Sequence, residues 1–165
     1  MDSSETLVDE IRENLGEPFI TATCAALGEM AGVEVGVRDV HREALDGSVD
    51  DIAVVVDLTS ARQGRMALIF PRHTAAALAR RVLTGLAEEL DEAMIRDCLG
   101  EIANVVAGQA KALLADTPYR FTVSLPRAVL RTELKVATSS QANCLVIALN
   151  SEAGPFALHL DFRAP

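Results

Sequence analysis

The chain has 165 residues, half of them hydrophobic and only 4% aromatic, and a formal net charge of −9. That length and apolar content suit a single domain over residues 1–165 with an aliphatic core, and they exclude a disordered chain. The acidic balance argues against nucleic acid, whose phosphates draw most of their affinity from cations, and no apolar run approaches the roughly 20 residues of a membrane span.

The N-terminus, "MDSSETLVDE", is acidic and has no basic segment followed by an apolar run, so no leader is expected and the predicted location is cytoplasmic. Residues 4–30 read as helical, with Ser4 as a cap and Leu7, Val8, Ile11 and Leu15 at helical spacing. Pro18 should break or restart that helix. "VEVGVRDV" (33–40) reads as a short strand, followed by a polar connection through Asp46-Gly47. "DIAVVVDLT" and "RMALIF", joined by "SARQG", predict a β-hairpin ended by Pro71. "HTAAALARRVLTG" predicts a helix with Gly85 near its C-cap. A long helix is then expected from about Asp91 to Ala115, stopped by "DTP".

The C-terminal third is rich in strand patterns: "RFTVSLPRAVL", "ELKVATSS", "CLVIALN" and, after a turn at "NSEAGP", "PFALHLDF". The last alternates cleanly. Phe156, Leu158, Leu160 and Phe162 share one face, and Ala157, His159 and Asp161 share a face expected to be wetter. Helix, hairpin, two helices and a run of strands predict an α+β fold, with long helices packed on a largely antiparallel β-sheet.

Much ordinary chemistry is missing. Cys24, Cys98 and Cys144 are far apart in apolar contexts and read as reduced core residues. His41, His73 and His159 are too scattered for a metal site, and His159 reads as a surface residue. Arg80-Arg81 reads as a solvated helix face and Asp50-Asp51 as turn chemistry. No zinc-protease helix, nucleophile elbow or phosphate-binding glycine loop is present.

One constellation remains. On a helical wheel of residues 94–115, Ile95, Cys98, Leu99, Ile102, Val105, Val106, Ala110 and Leu113 fall on one side. Asp97, Glu101, Asn104, Gly108 and Lys111 fall on the other, in steps of four, three, four and three. A solvated polar face would explain such a stripe. Asn and Gly are nonetheless poor choices for an exposed helix interior, where Gly costs about 1 kcal/mol relative to Ala. Gly108 either leaves room for a docking partner or serves helix packing within the protein, and spacing does not decide between these.

The run Asp97-x-x-x-Glu101-x-x-Asn104, continued by "VVAGQAK", resembles the motif of the CheC/CheX/FliY family of chemotaxis phosphatases. "VSLP" (123–126) resembles the family's Ser-x-Pro strand, and the hairpin, the helix after it and "FALHLDF" extend the likeness over most of residues 51–163. A second Glu-x-x-Asn is absent from "DEIRENLGEPF", where Glu10 is followed three residues later by Glu13 and Glu13 by Gly16. The single motif makes the chain most like CheX.

The resemblance implies a protein phosphatase, a hydrolase of two-component signalling, acting on the aspartyl-phosphate of a CheY-type response-regulator receiver domain. It implies Asn104 as the residue that orients the attacking water and Glu101 as the anchor to a receiver lysine. Asp97 and Gly108 are expected at the docking surface. No metal or cofactor of the chain's own is expected, and the receiver would supply Mg²⁺. The alternative is a non-catalytic receiver-binding or scaffolding domain. A homodimer through sheet edges is a further expectation, with the last strand as the candidate edge.

Overall fold

The computed structural model describes residues 9–42, 51–85, 89–130 and 144–162. The segment "ELKVATSS", read as a strand, lies outside them, as do Ser4 and Asp50.

Among the described residues, three α-helices pack on a sheet of seven strands. Helix α1 spans Glu17–Ala31, α2 spans Arg72–Val82 and α3 spans Glu92–Leu114. The strands are β1 (Val35–Arg42), β2 (Ile52–Thr59), β3 (Gln63–Phe70), β4 (Thr122–Val123), β5 (Arg127–Leu130), β6 (Cys144–Ser151) and β7 (Gly154–Phe162). Their order is β1-β6-β7-β3-β2-β4, with β5 also paired to β2, and every pairing is antiparallel. The α+β architecture expected from the pattern is the one observed. Among the described residues, no helix is long and apolar enough to cross a membrane.

Pro18 does not break the first helix. A π-helical turn at Arg12–Gly16 runs directly into α1, with Pro18 in its first turn. Proline has no N–H and its ring crowds the carbonyl four residues earlier, and the wider π turn just upstream absorbs both defects. Gly32 ends α1 at φ 65°, where its N–H returns to the Gly28 carbonyl at 3.2 Å. That left-handed cap suits glycine because it has no Cβ to clash.

The core forms between the helices and one face of the sheet. In register across that face stand Val56, Met66, Leu160 and Leu145. They join one apolar cluster with Phe19 and Leu27 of α1, Leu78 of α2 and Leu99, Ile102 and Val106 of α3. Phe19 stacks on Phe121 with centroids 5.7 Å apart, and Phe70 on Phe156 at 5.3 Å. Ala53, Val55, Ala67 and Ile69 form a separate buried cluster on the opposite sheet face.

Two expectations about the last strand are corrected. β7 is not an edge: it is hydrogen-bonded to β6 on one side and β3 on the other. Among the described residues, the edges fall to β1 and to the short β4 and β5. His159 is not a surface residue, being only 6% exposed. Its central strand surrounds it with Val146 and Ala67 in register. The alternation of β7 sorts its residues onto two faces, but a strand inside a sheet can be buried on both.

Candidate functional site

Helix α3 begins at Asp91, whose carboxylate accepts a hydrogen bond from the Met94 N–H at 2.8 Å. Such a cap satisfies one of the helix's orphan donors. In the first turn, Glu92 binds Arg96 at 3.1 Å, one turn along, and Arg72 of α2 at 3.2 Å. These two guanidinium groups, Arg72 first, hold the Glu92 carboxyl below the usual carboxylate range. The helix is therefore fixed at its start, and at 23 residues it is about 35 Å long.

Along α3, Cys98, Leu99, Ile102, Ala103, Val106, Ala107, Ala110 and Leu114 are buried. Asp97, Glu101, Asn104, Gly108 and Lys111 are all exposed. The structure thus brings the expected site residues together on one ridge directly opposite the buried face. Beneath it, burial pushes the Cys98 thiol up, helped by the nearby Glu101 carboxylate. Leu113 departs from the wheel. It is 52% exposed, because the last turn of α3 keeps only Leu114 against the core.

Gly108 is resolved by its surroundings. A Cβ at this position would meet nothing within 4 Å among the described residues. Packing against another described element does not account for the glycine.

The described part of the first helical segment carries no second Glu-x-x-Asn pair. Glu10 is engaged with Arg62 at 3.3 Å and with the Tyr119 hydroxyl at 3.3 Å, and its carbonyl accepts from the Asn14 side chain at 2.9 Å. These contacts tie the start of the helical segment to the β2–β3 loop and to the segment after α3. They also line a cleft of about 790 Å³ that reaches Lys111, the last residue of the ridge.

The loop Ser124-Leu125-Pro126 stands beside α3. "RFTVSLPRAVL" reads as one strand, but the structure divides it into β4 and β5. The loop between them lies beside the ridge: a Cβ at Gly100 of α3 would stand 4.0 Å from Pro126 Cγ. The available signal was Pro126, which cannot donate to a sheet ladder.

Comparison with known proteins follows this geometry. The fold resembles a chemotaxis protein CheX from Desulfovibrio desulfuricans, at 22% identity and a TM-score of 0.74, over 93% of this chain and 99% of that one. It resembles CheX from Vibrio vulnificus at 22% identity and 0.73, over 88% and 97%. A chain of the CheX–CheY–BeF3–Mg²⁺ complex from Borrelia burgdorferi is similar at 19% identity and 0.73, over 90% and 97%. No protein of curated function matches. The family model described as "Chemotaxis phosphatase CheX" matches residues 52–150, a span that runs from β2 through the whole of the α3 ridge. With more than half of its length matched by that model, the chain belongs to the CheX family of chemotaxis phosphatases.

Proposed function

We propose that this protein hydrolyses the aspartyl-phosphate of a CheY-type receiver domain, with the exposed ridge of α3 entering the receiver's phosphorylation site. The observation that carries the reading is the pairing of Glu101 and Asn104. They are exposed one turn apart on a helix otherwise well fitted to its core. The CheX family match supports the activity, and the Borrelia CheX–CheY complex supports the class of partner.

The chemistry asks little of the chain. An acyl phosphate has a good leaving group, so hydrolysis is chiefly a matter of positioning a water in line and stabilising charge. The Asn104 carboxamide both donates and accepts, so it holds a water without deprotonating it. Water's oxygen forms the new bond to phosphorus. The bond between phosphorus and the receiver's carboxylate oxygen breaks, and the products are aspartate and inorganic phosphate. Glu101 makes a charge-assisted contact with a receiver lysine and sets the helix in register. The receiver contributes Mg²⁺. Asp97 lies one turn before Glu101 and contributes to docking, while Gly108 leaves room for the receiver backbone.

The test is phosphate release from phosphorylated receiver domains, measured with the wild-type protein and a folded Asn104→Ala variant. Accelerated release that falls by at least about a hundredfold in the variant is expected. Unchanged release by Asn104→Ala would overturn the assignment. Binding to a receiver loaded with BeF3 and Mg²⁺, without any acceleration, would establish a scaffolding domain instead.

A further inference from the structure

The edge of the sheet next to α3 contains one residue too many. Leu58 of β2 pairs with Val123 of β4, and Val55 of β2 pairs with Arg127 of β5. Between these pairs, two residues of β2, Val56 and Asp57, face three of the edge chain, Ser124, Leu125 and Pro126. This is a β-bulge, a device that re-aims side chains and recurs beside functional sites.

The bulge is held rather than loose. The Ser124 N–H donates to the Asp57 carbonyl at 3.0 Å, and the Asp57 N–H donates to Ser124 Oγ at 2.9 Å. The Ser124 hydroxyl in turn donates to the Leu125 carbonyl at 3.1 Å. Arg127 closes the far side through Asp57 Oδ2 at 3.3 Å. Pro126 restricts the backbone of Leu125 and packs beside Gly100. On this pinned segment Leu125 is 84% exposed, the most exposed of the large hydrophobic side chains among the described residues.

A single exposed leucine is ordinary on a protein surface. This one is held out by a built bulge, and the bulge abuts the helix that carries the ridge. Gly100 lies between Asp97 and Asn104 on α3, one residue before Glu101. We infer that Leu125 is an apolar anchor for the phosphorylated receiver domain, seated beside the Glu101–Asn104 ridge, and that it sets affinity and partner choice without taking part in hydrolysis. The inference rests on the proposed phosphatase reading. A rigid support matters because an anchor ordered in advance loses little entropy on docking. A leucine held in the open gains by losing contact with water when the receiver covers it.

The experiment uses the full chain and the receiver on which phosphate release is observed. Leu125→Asp and Leu125→Met are compared with wild type, with Val37→Asp on the remote edge strand β1 as control and Asn104→Ala as reference. Leu125→Asp is expected to raise KM, and the Kd for the receiver loaded with BeF3 and Mg²⁺, by at least about tenfold. Its kcat should stay within about twofold, Leu125→Met should restore affinity, and Val37→Asp should leave both values unchanged. Unfolding midpoints of Leu125→Asp and wild type should agree, since Leu125 packs little against its own chain. Loss of activity with Asn104→Ala but an unchanged KM with Leu125→Asp would overturn the anchor and leave the phosphatase reading standing. A kcat loss in Leu125→Asp at normal affinity would also overturn it. If no receiver is dephosphorylated, both inferences fall together.

Discussion

Gly108 lies one helical turn beyond Asn104 on the same exposed ridge, and the space where its Cβ would stand is empty for at least 4 Å. A glycine in that position costs helix stability and makes no packing contact with the described residues. Gly108→Ala should therefore stabilise the protein by about 1 kcal/mol. For a domain of this size that corresponds to a rise of roughly 2–4 °C in Tm. The same substitution should raise KM for the phosphorylated receiver, because the methyl group occupies the surface assigned to the partner. Calorimetry and phosphate-release kinetics on one preparation test both halves. A gain in Tm with unchanged KM would place Gly108 outside the interface.

The proposed function gives Glu101 a charged docking contact, so its effect should depend on ionic strength. Wild-type KM should rise as salt is increased from about 50 to 500 mM, as screening weakens a contact formed through solvent. Glu101→Gln should start with a higher KM and show a flatter salt response, with helix α3 intact by circular dichroism. An equally steep response in the variant would assign the salt effect to other charges.

Cys144 should be an unreactive thiol. Burial first, and then the Asp161 carboxylate, push its pKa up to about 12, and its sulfur lies 3.7 Å from His159 Nδ1. At pH 8, alkylation of Cys144 in the folded protein should be far slower than in denaturant, as read by mass spectrometry of the labelled peptide. The folded value lies above the ordinary 9.0 of the unfolded chain. Below pH 9 both states hold the proton and the folded state keeps its full advantage. Between pH 9 and about 12 the unfolded chain alone releases it, so stability falls as pH rises. The urea midpoint should drop between pH 8 and 10.5, and drop less in a folded Cys144→Ala variant.

The turn between β6 and β7 depends on Gly154, which has φ 132° and sits against Thr74. The Thr74 hydroxyl donates to the Pro155 carbonyl at 2.9 Å and ties α2 to the start of β7. Gly154→Ala combines a backbone conformation foreign to alanine with a steric conflict at Thr74. It should destabilise the fold by about 1–3 kcal/mol. Denaturant titration measures this, and Gly36→Ala on edge strand β1, where a Cβ would meet nothing within 4 Å, is the control.

The sequence by itself determined the helices, the hairpin and the ridge. Each is a local pattern, and the 3.6-residue period that places Ile102 and Val106 inside also places Glu101 and Asn104 outside. Gly108 was visible as an oddity, but whether it served the partner or the protein's own packing depended on what stands above it. The tertiary structure places no described element there, and it decided the role of the last strand. Alternation shows which residues of β7 share a face, while its place between β6 and β3, and hence the burial of His159, comes from pairings between residues distant in sequence. The place of Leu125 became visible in the same way. One residue in excess between Val123 and Arg127 has meaning only once β2 is laid alongside, and only there does the bulge carry the leucine to the edge of the helix that bears Asn104.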